Sequence, residues 1–277
     1  MSGRIFLLAI TTSAVLALPA AAQTAKSVGT AFSGKIKPDI IGLSPDSDEA
    51  SARAMLEGHL KERGEARSDA LKRSTAGSSS ILALTIAPGV RENGEAIVAS
   101  FASPANANRA VFISRTLTFA PGREPAASDM VEQIVGKYGA PTLVGSQNIY
   151  YVFRRGKLVT AGQKYDSASA AGALDKPPNS RAALTLSDAK GHGSCIATIK
   201  SVPQMDKSVA ALEPTAKASN CDGILNVSIA TNADARVEKV QFVLVDFKRI
   251  IDAALIDGDT GTKPSAGKNA ATGKPKL

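Results

Sequence analysis

Apolar positions recur along the chain with two periods, and each period marks an element. After Pro38-Asp39-Ile40-Ile41-Gly42-Leu43, residues Ala50, Ala54, Leu56 and Leu60 fall on one side at helical spacing. Asp46 and Glu49 stand three apart at the start of this stretch, the spacing of a capping side chain and a first-turn carboxylate, and Gly64 is placed to end it. A polar, Ser-rich break follows, Ser74 to Ser80. The pattern then returns as three strand-like runs, Ile81 to Ile86, Glu95 to Ser103 and Arg109 to Phe119. In the third, Val111, Ile113, Leu117 and Phe119 alternate with Phe112, Ser114, Thr116 and Thr118, the period of two of a half-buried strand. Pro88-Gly89 and Asn93-Gly94 predict a hairpin between the first two runs, hence an antiparallel sheet.

Pro125 opens a second helical pattern through Ala127, Val131, Ile134, Val135 and Tyr138, ended by Gly139 and Pro141. Leu143 to Arg154 reads as one strand with Ile149, Tyr151 and Phe153 on one side. Thr160 to Ala182, rich in Ala, Gly, Ser and Pro, shows no apolar period and reads as a linker or long loop. Beyond it the pattern predicts strands at Ser194 to Val202, Ile224 to Ala230 and Glu238 to Val245. A helix, Phe247 to Ile256, is capped by Asp246 and striped by Ile250, Ile251, Ala254 and Leu255. The fold class expected is α+β: two small modules of antiparallel sheet with helices packed on one face. They occupy residues 23–157 and 183–257, joined by 158–182. Residues 258–277 form a basic tail of a composition that buries no core and is expected to be disordered.

The first 22 residues have a different purpose. Arg4, the 14-residue mostly apolar run Ile5 to Leu18, and the small residues of Pro19-Ala20-Ala21-Ala22 before Gln23 make a secretory signal peptide with cleavage between Ala22 and Gln23. The run is shorter than the roughly 20 apolar residues a membrane-spanning helix needs. The mature protein is therefore expected in the periplasm or outside the cell. Only Cys195 and Cys221 occur, and an even count in an oxidising compartment predicts one disulfide, closing a loop that stabilises by roughly 3 kcal/mol.

Composition narrows the field of functions. Forty-four per cent hydrophobic and 21 per cent charged residues suit a globular chain. The formal charge of +8 becomes +7 without Arg4; Lys263, Lys268, Lys274 and Lys276 against Asp259 account for +3 of it, leaving +4 on the part expected to fold. Such a surplus favours an envelope protein or an anionic surface polymer as partner. Zero Trp, 4 per cent aromatics and export argue against nucleic acid.

Candidate chemistry is sparse. His59 lies among charged residues of the first helix and reads as exposed. His192, in Gly191-His192-Gly193-Ser194-Cys195, is the better candidate: it can activate a Cys195 thiolate, or join Cys195, Cys221 and Asp222 around zinc, which accepts N, S and O donors. A disulfide would consume both sulfurs, so no catalytic, metal or cofactor residue is assigned, and a thiol- or metal-dependent hydrolase using His192 and Cys195 stands as the alternative. The carboxylates Asp46, Asp48 and Glu49 cluster at a helix start. Asp257-Gly258-Asp259 lacks the later ligands of a calcium loop. Tyr150, Tyr151, Arg154 and Arg155 are a candidate anion- or partner-binding strand edge, with alternation sending Tyr150 and Arg154 to one face. The sequon Asn226-Val227-Ser228 falls inside a predicted strand and reads as incidental.

Two patterns carry a resemblance. Gly42-Leu43-Ser44-Pro45-Asp46 leading into the first helix, and Lys137-Tyr138-Gly139-Ala140-Pro141 ending the second before a strand, resemble uncharacterised bacterial periplasmic proteins. They are distantly similar to the small lipoprotein of the outer-membrane assembly machinery, whose lipid-anchoring cysteine this chain lacks. Cys221-Asp222-Gly223-Ile224, with Val237 to Asp246 and the terminal helix, resembles the C-terminal part of such secreted proteins. The resemblance implies an envelope-associated scaffolding role and carries no catalytic residue onto this sequence; export, only two histidines and no convergent catalytic set point to a non-enzymatic envelope protein that binds another protein or a surface polymer.

Overall fold

The computed structural model describes residues 30–32, 37–63, 70–89, 92–160, 162, 164–186, 195–201 and 208–261. The segment read as a signal peptide, its cleavage point at Ala22 and Gln23, His192, and residues 262–277 of the tail lie outside them. The strands, in chain order, are β1 (Leu71–Ala76), β2 (Ser79–Ile86), β3 (Gly94–Phe101), β4 (Ala110–Thr118), β5 (Leu143–Gly145), β6 (Asn148–Arg154), β7 (Lys157–Leu158), β8 (Gly223–Thr231) and β9 (Val237–Asp246). Among the described residues all pairings are antiparallel, in one nine-stranded sheet of order β1-β2-β3-β4-β9-β8-β6-β5, with β7 also on β6. The α+β class and the antiparallel pairing thus stand as the sequence predicts.

The helices are α1 (Glu49–Glu62), α2 (Ala127–Tyr138), α3 (Ser167–Ala173), α4 (Ser180–Thr185), α5 (Cys195–Ser201), α6 (Val209–Ala218) and α7 (Phe247–Gly261). They cover both faces of the sheet rather than one. Leu56 and Leu60 of α1, Val131 and Ile134 of α2 and Ala170 of α3 pack with Leu84, Ile97, Ile149, Tyr151 and Leu244 on the first face. Ile199 of α5, Leu212 of α6 and Ile250 of α7 pack with Phe112, Tyr150, Val152, Ile224 and Val245 on the second. The cause is visible in the central strands: β6 is apolar from Ile149 to Phe153 at odd and even positions alike, and β8 and β9 are so at Ile224-Leu225 and Val243-Leu244-Val245, as strands buried on both sides must be.

The segment after residue 183 does not close a sheet of its own. Its strands β8 and β9 lie between β4 and β6, so the boundary expected near Lys157 falls inside one continuous sheet. The third strand expected there, Ser194 to Val202, is the helix α5, in which Cys195 and Ile199, four apart, are 0% and 5% exposed; tertiary burial of that face overrides the β-propensity of its isoleucines. The linker holds α3, opened by a reciprocal Asp166–Ser169 capping box, and α4. The Ser-rich break is mostly strand, the end of β1 and the start of β2: β1 has no apolar alternation because it is an edge, exposed along its middle and carrying Lys72 and Arg73. The single strand expected over Leu143 to Arg154 is a hairpin whose turn, Ser146-Gln147, has both residues at positive φ (51° and 63°) without the Asn-Gly that would announce it. Asp48, not Asp46, caps α1, accepting from Ser51 N at 2.8 Å. Asp246 does cap α7, accepting from Arg249 N at 2.8 Å, and its other oxygen takes Thr30 Oγ1 at 2.8 Å, which ties the start of the described chain to the sheet. There Gly223 is required: a Cβ would stand 2.7 Å from the Phe32 ring. The helix runs to Gly261, past the start of the expected tail.

Cys195 and Cys221 form the disulfide, Cα–Cα 5.7 Å, joining the first residue of α5 to the approach of β8. The bridged residues are 26 apart, for which loop-closure entropy gives roughly 3 kcal/mol. Reduction, or the double change Cys195→Ser/Cys221→Ser, is expected to lower unfolding free energy by about that amount; denaturant titration checks this, and a loss under about 0.5 kcal/mol would refute it.

Candidate ligand-binding cavity

Ile113, Arg115, Leu117 and Phe119 share the face of β4 that looks toward α2. The register sets Arg115 opposite Phe242 of β9 and Leu117 opposite Val240. Two charges therefore stand in inward-facing rows, Arg115 on β4 and Glu95 on β3, which shares its row with Ile97 and Ala99. They find each other. The Glu95 carboxylate has no exposed surface and receives Arg115 Nε at 2.6 Å on one oxygen, and Arg63 Nη1 at 2.6 Å and His59 Nε2 at 2.8 Å on the other. His59, expected as an exposed helix residue, is 19% exposed and turned to this carboxylate.

Burial works to raise the pKa of Glu95, but the His59 hydrogen bond and the Arg115 charge outweigh it and hold the carboxyl below its ordinary 4.5. A depressed carboxylate stabilises the fold above its unfolded pKa, and the contribution is lost as pH falls through the folded value.

Above Arg115 lies a cavity of about 420 Å³ between α2 and the sheet, within the size range of small-molecule sites. Leu117, Phe119, Phe242, Met130 and Ile134 make its walls apolar; Arg115, Arg123 and Lys137 are its charged groups. No carboxylate, imidazole, thiol or aliphatic hydroxyl lines it. Arg115 is anchored through Nε alone, and no hydrogen bond is made by its terminal nitrogens among the described residues. Lys137 Nζ meets Asp39 at 3.0 Å, and exposed Arg123 makes no ion pair among the described residues. Tyr138, whose hydroxyl donates to Asp39 O at 2.8 Å and whose pKa is pushed far up by burial, is a wall and not an acid.

At the rim the chain turns through Ile40-Ile41-Gly42-Leu43, closed by Ile40 N to Leu43 O at 2.8 Å and Leu43 N to Ile40 O at 3.0 Å. Both central residues have positive φ, 50° at Ile41 and 84° at Gly42. A β-branched residue in that region is strained, at a cost of order 1–3 kcal/mol, and such strain gathers at functional sites. Asp39 holds the turn, accepting from Gly42 N at 2.7 Å, and the Ile41 side chain becomes part of the cavity lining.

The residues singled out from sequence fall elsewhere. Tyr150 and Tyr151 are each 1% exposed on opposite faces of the sheet, because β6 is flanked by β8 and β5; a partner-binding strand edge is therefore not formed. Arg154 is half-buried and donates to the carbonyls of Asn220 and Leu186, at 3.0 and 2.8 Å, while Arg155 is an exposed turn residue. The disulfide removes both sulfurs from thiol or zinc chemistry, and no cluster of three potential metal ligands occurs among the described residues. Asp222 accepts from Gly156 N at 3.1 Å. Asp46 pairs with Arg249 at 3.1 Å, Glu49 with Arg73 and with Ser80 Oγ at 2.7 Å, and Asp257 with the hydroxyls of Ser78 and Ser103 at 2.8 and 2.5 Å: all are structural ties. Asn226 is 7% exposed within β8. Among the described residues no helix is long and apolar enough to cross a membrane. No family model, curated protein or solved structure matches the chain.

Two outcomes follow from the strain and the charge cluster. Ile41→Asn, which suits the turn, is expected to raise unfolding free energy by about 1 kcal/mol in a thermal melt; destabilisation would show that the Ile41 backbone is unstrained. Glu95→Gln leaves two guanidinium groups facing a neutral amide and is expected to cost about 3 kcal/mol at pH 7, the gap closing below pH 4.5 as wild type loses its carboxylate. A pH-independent gap would contradict the assignment.

Proposed function

We propose that the protein is an exported, non-catalytic binding protein of the bacterial envelope, and that the cavity between α2 and the sheet holds its ligand. The observation that carries this reading is the lining itself. Apolar walls supply affinity by burying ligand surface, at about 25 cal/mol per Å², and a few cations give orientation. No carboxylate, imidazole, thiol or aliphatic hydroxyl lines the cavity, and of the groups there that could act in covalent or acid–base chemistry Lys137 is ion-paired with Asp39 and the Tyr138 hydroxyl donates to Asp39 O. Export is supported by the Arg4-to-Ala22 pattern and agrees with the Cys195–Cys221 pairing, since disulfides persist in oxidising compartments. The resemblance to periplasmic proteins points the same way. A small molecule from the envelope is favoured over a protein partner because the site is a concavity and not a flat face.

The reading predicts that the native protein begins at Gln23 in a periplasmic extract. The mature protein should brighten a neutral solvatochromic dye such as Nile red, and Leu117→Asn should weaken the dye about ten-fold by placing an unpaired amide in the wall. A product starting at Met1 in the cytosol would remove the export claim. Dye binding unaffected by Leu117→Asn would remove the cavity as the site.

A further inference from the structure

Resting on that reading, we propose that the cavity takes a single-chain carboxylate amphiphile, with the acyl chain along Leu117, Phe119, Phe242 and Ile134 and the carboxylate on Arg115, with Arg123 at the rim. Glu95 carries one negative charge and faces two arginines, so this cluster, with its carboxylate fully buried and Arg115 22% exposed, has a surplus of one positive charge even with His59 neutral. An uncompensated charge next to apolar walls is costly, and an anion in the cavity compensates it. The donors are in place: Arg115 is fixed by Nε, which leaves both terminal nitrogens for a bidentate contact, the geometry in which a guanidinium grips a carboxylate. Arg123 adds a second cation with no acidic partner among the described residues. Lys137 is already matched by Asp39 and contributes less.

Size sets the tail. A cavity of about 420 Å³ lies near the small end of the range for ligand sites, which suits one medium-length chain better than a two-chain lipid. Glu95 is then a positioning residue: it touches no ligand but fixes the guanidinium that does.

The test is displacement of Nile red from the mature, disulfide-intact protein by decanoate, decanol and decyl phosphate. Decanoate should displace the dye at about ten- to hundred-fold lower free concentration than decanol, the worth of a charge-assisted contact. Arg115→Met should abolish that preference while decanol is unchanged. Should this variant fail to fold, Arg123→Met, at an exposed position, should reduce the preference measurably. Equal displacement by decanoate and decanol would overturn the carboxylate assignment and leave the cavity as an apolar site. Decyl phosphate binding more than about ten-fold tighter than decanoate would overturn the choice of head group. Failure of both dye and decanoate to bind would bring down the binding reading as well. Unchanged preference in both arginine variants would overturn the role given to them.

Discussion

The pairing of β4 with β9 holds the rest of the structure together. Phe112 through Thr118 are matched in register with Val245 through Lys239, so a strand from the last part of the chain is hydrogen-bonded into the middle of a sheet begun by the first. With β9 comes β8, and β8 gives β6 its second partner. Without that ladder the sheet would divide into β1–β4 and β5–β7, each with an open edge, and the helices that follow Asn179 would have no second face to cover. The disulfide sits beside this arrangement, holding α5 to the approach of β8. Contacts so distant along the chain form late and slowly, because loop closure is unfavourable until the strands meet.

The same ladder builds the cavity. Arg115 and Leu117 come from one strand and Phe242 from the other, and α2 lies over them with Met130 and Ile134 facing down. Two charged residues in the inward rows of a sheet would be a defect if isolated; here Glu95 is satisfied by three donors and in turn fixes Arg115 beside an apolar space. The cluster thus has a stability role through Glu95 and, in the function proposed, a recognition role through Arg115. The strained Ile41 at the rim fits the same economy, since it is held there by Asp39, Lys137 and Tyr138 of the surrounding frame.

Where one period dominated, the sequence was legible. The helix over Ala127 to Tyr138 and strands β2, β3, β4, β8 and β9 announce themselves because each has a buried side and a capping or turn residue at its end. Elements without such contrast were hidden: β1 is polar, α3 and α4 are built from small residues, and α5 is an apolar run too short to show its period. The site was hidden for another reason. Arg115 and Glu95 break apolar alternation, and a break reads as an imperfect strand unless both are seen to occupy inward positions on neighbouring strands, diagonal to each other. That signal was present in the pattern Ile113-x-Arg115-x-Leu117, but the register that pairs the strands had to be known first. Alternation at Tyr150 and Tyr151 does not mark a solvated side, because β6 is covered on both.

The most direct test of the account is a methyl-resolved NMR titration of the mature protein with decanoate. The account predicts saturable shifts at Ile40, Leu117, Met130 and Ile134, with Val152, Ile224 and Ile250 on the opposite face unmoved. Shifts centred on the second face, or none at the α2 side, would contradict it.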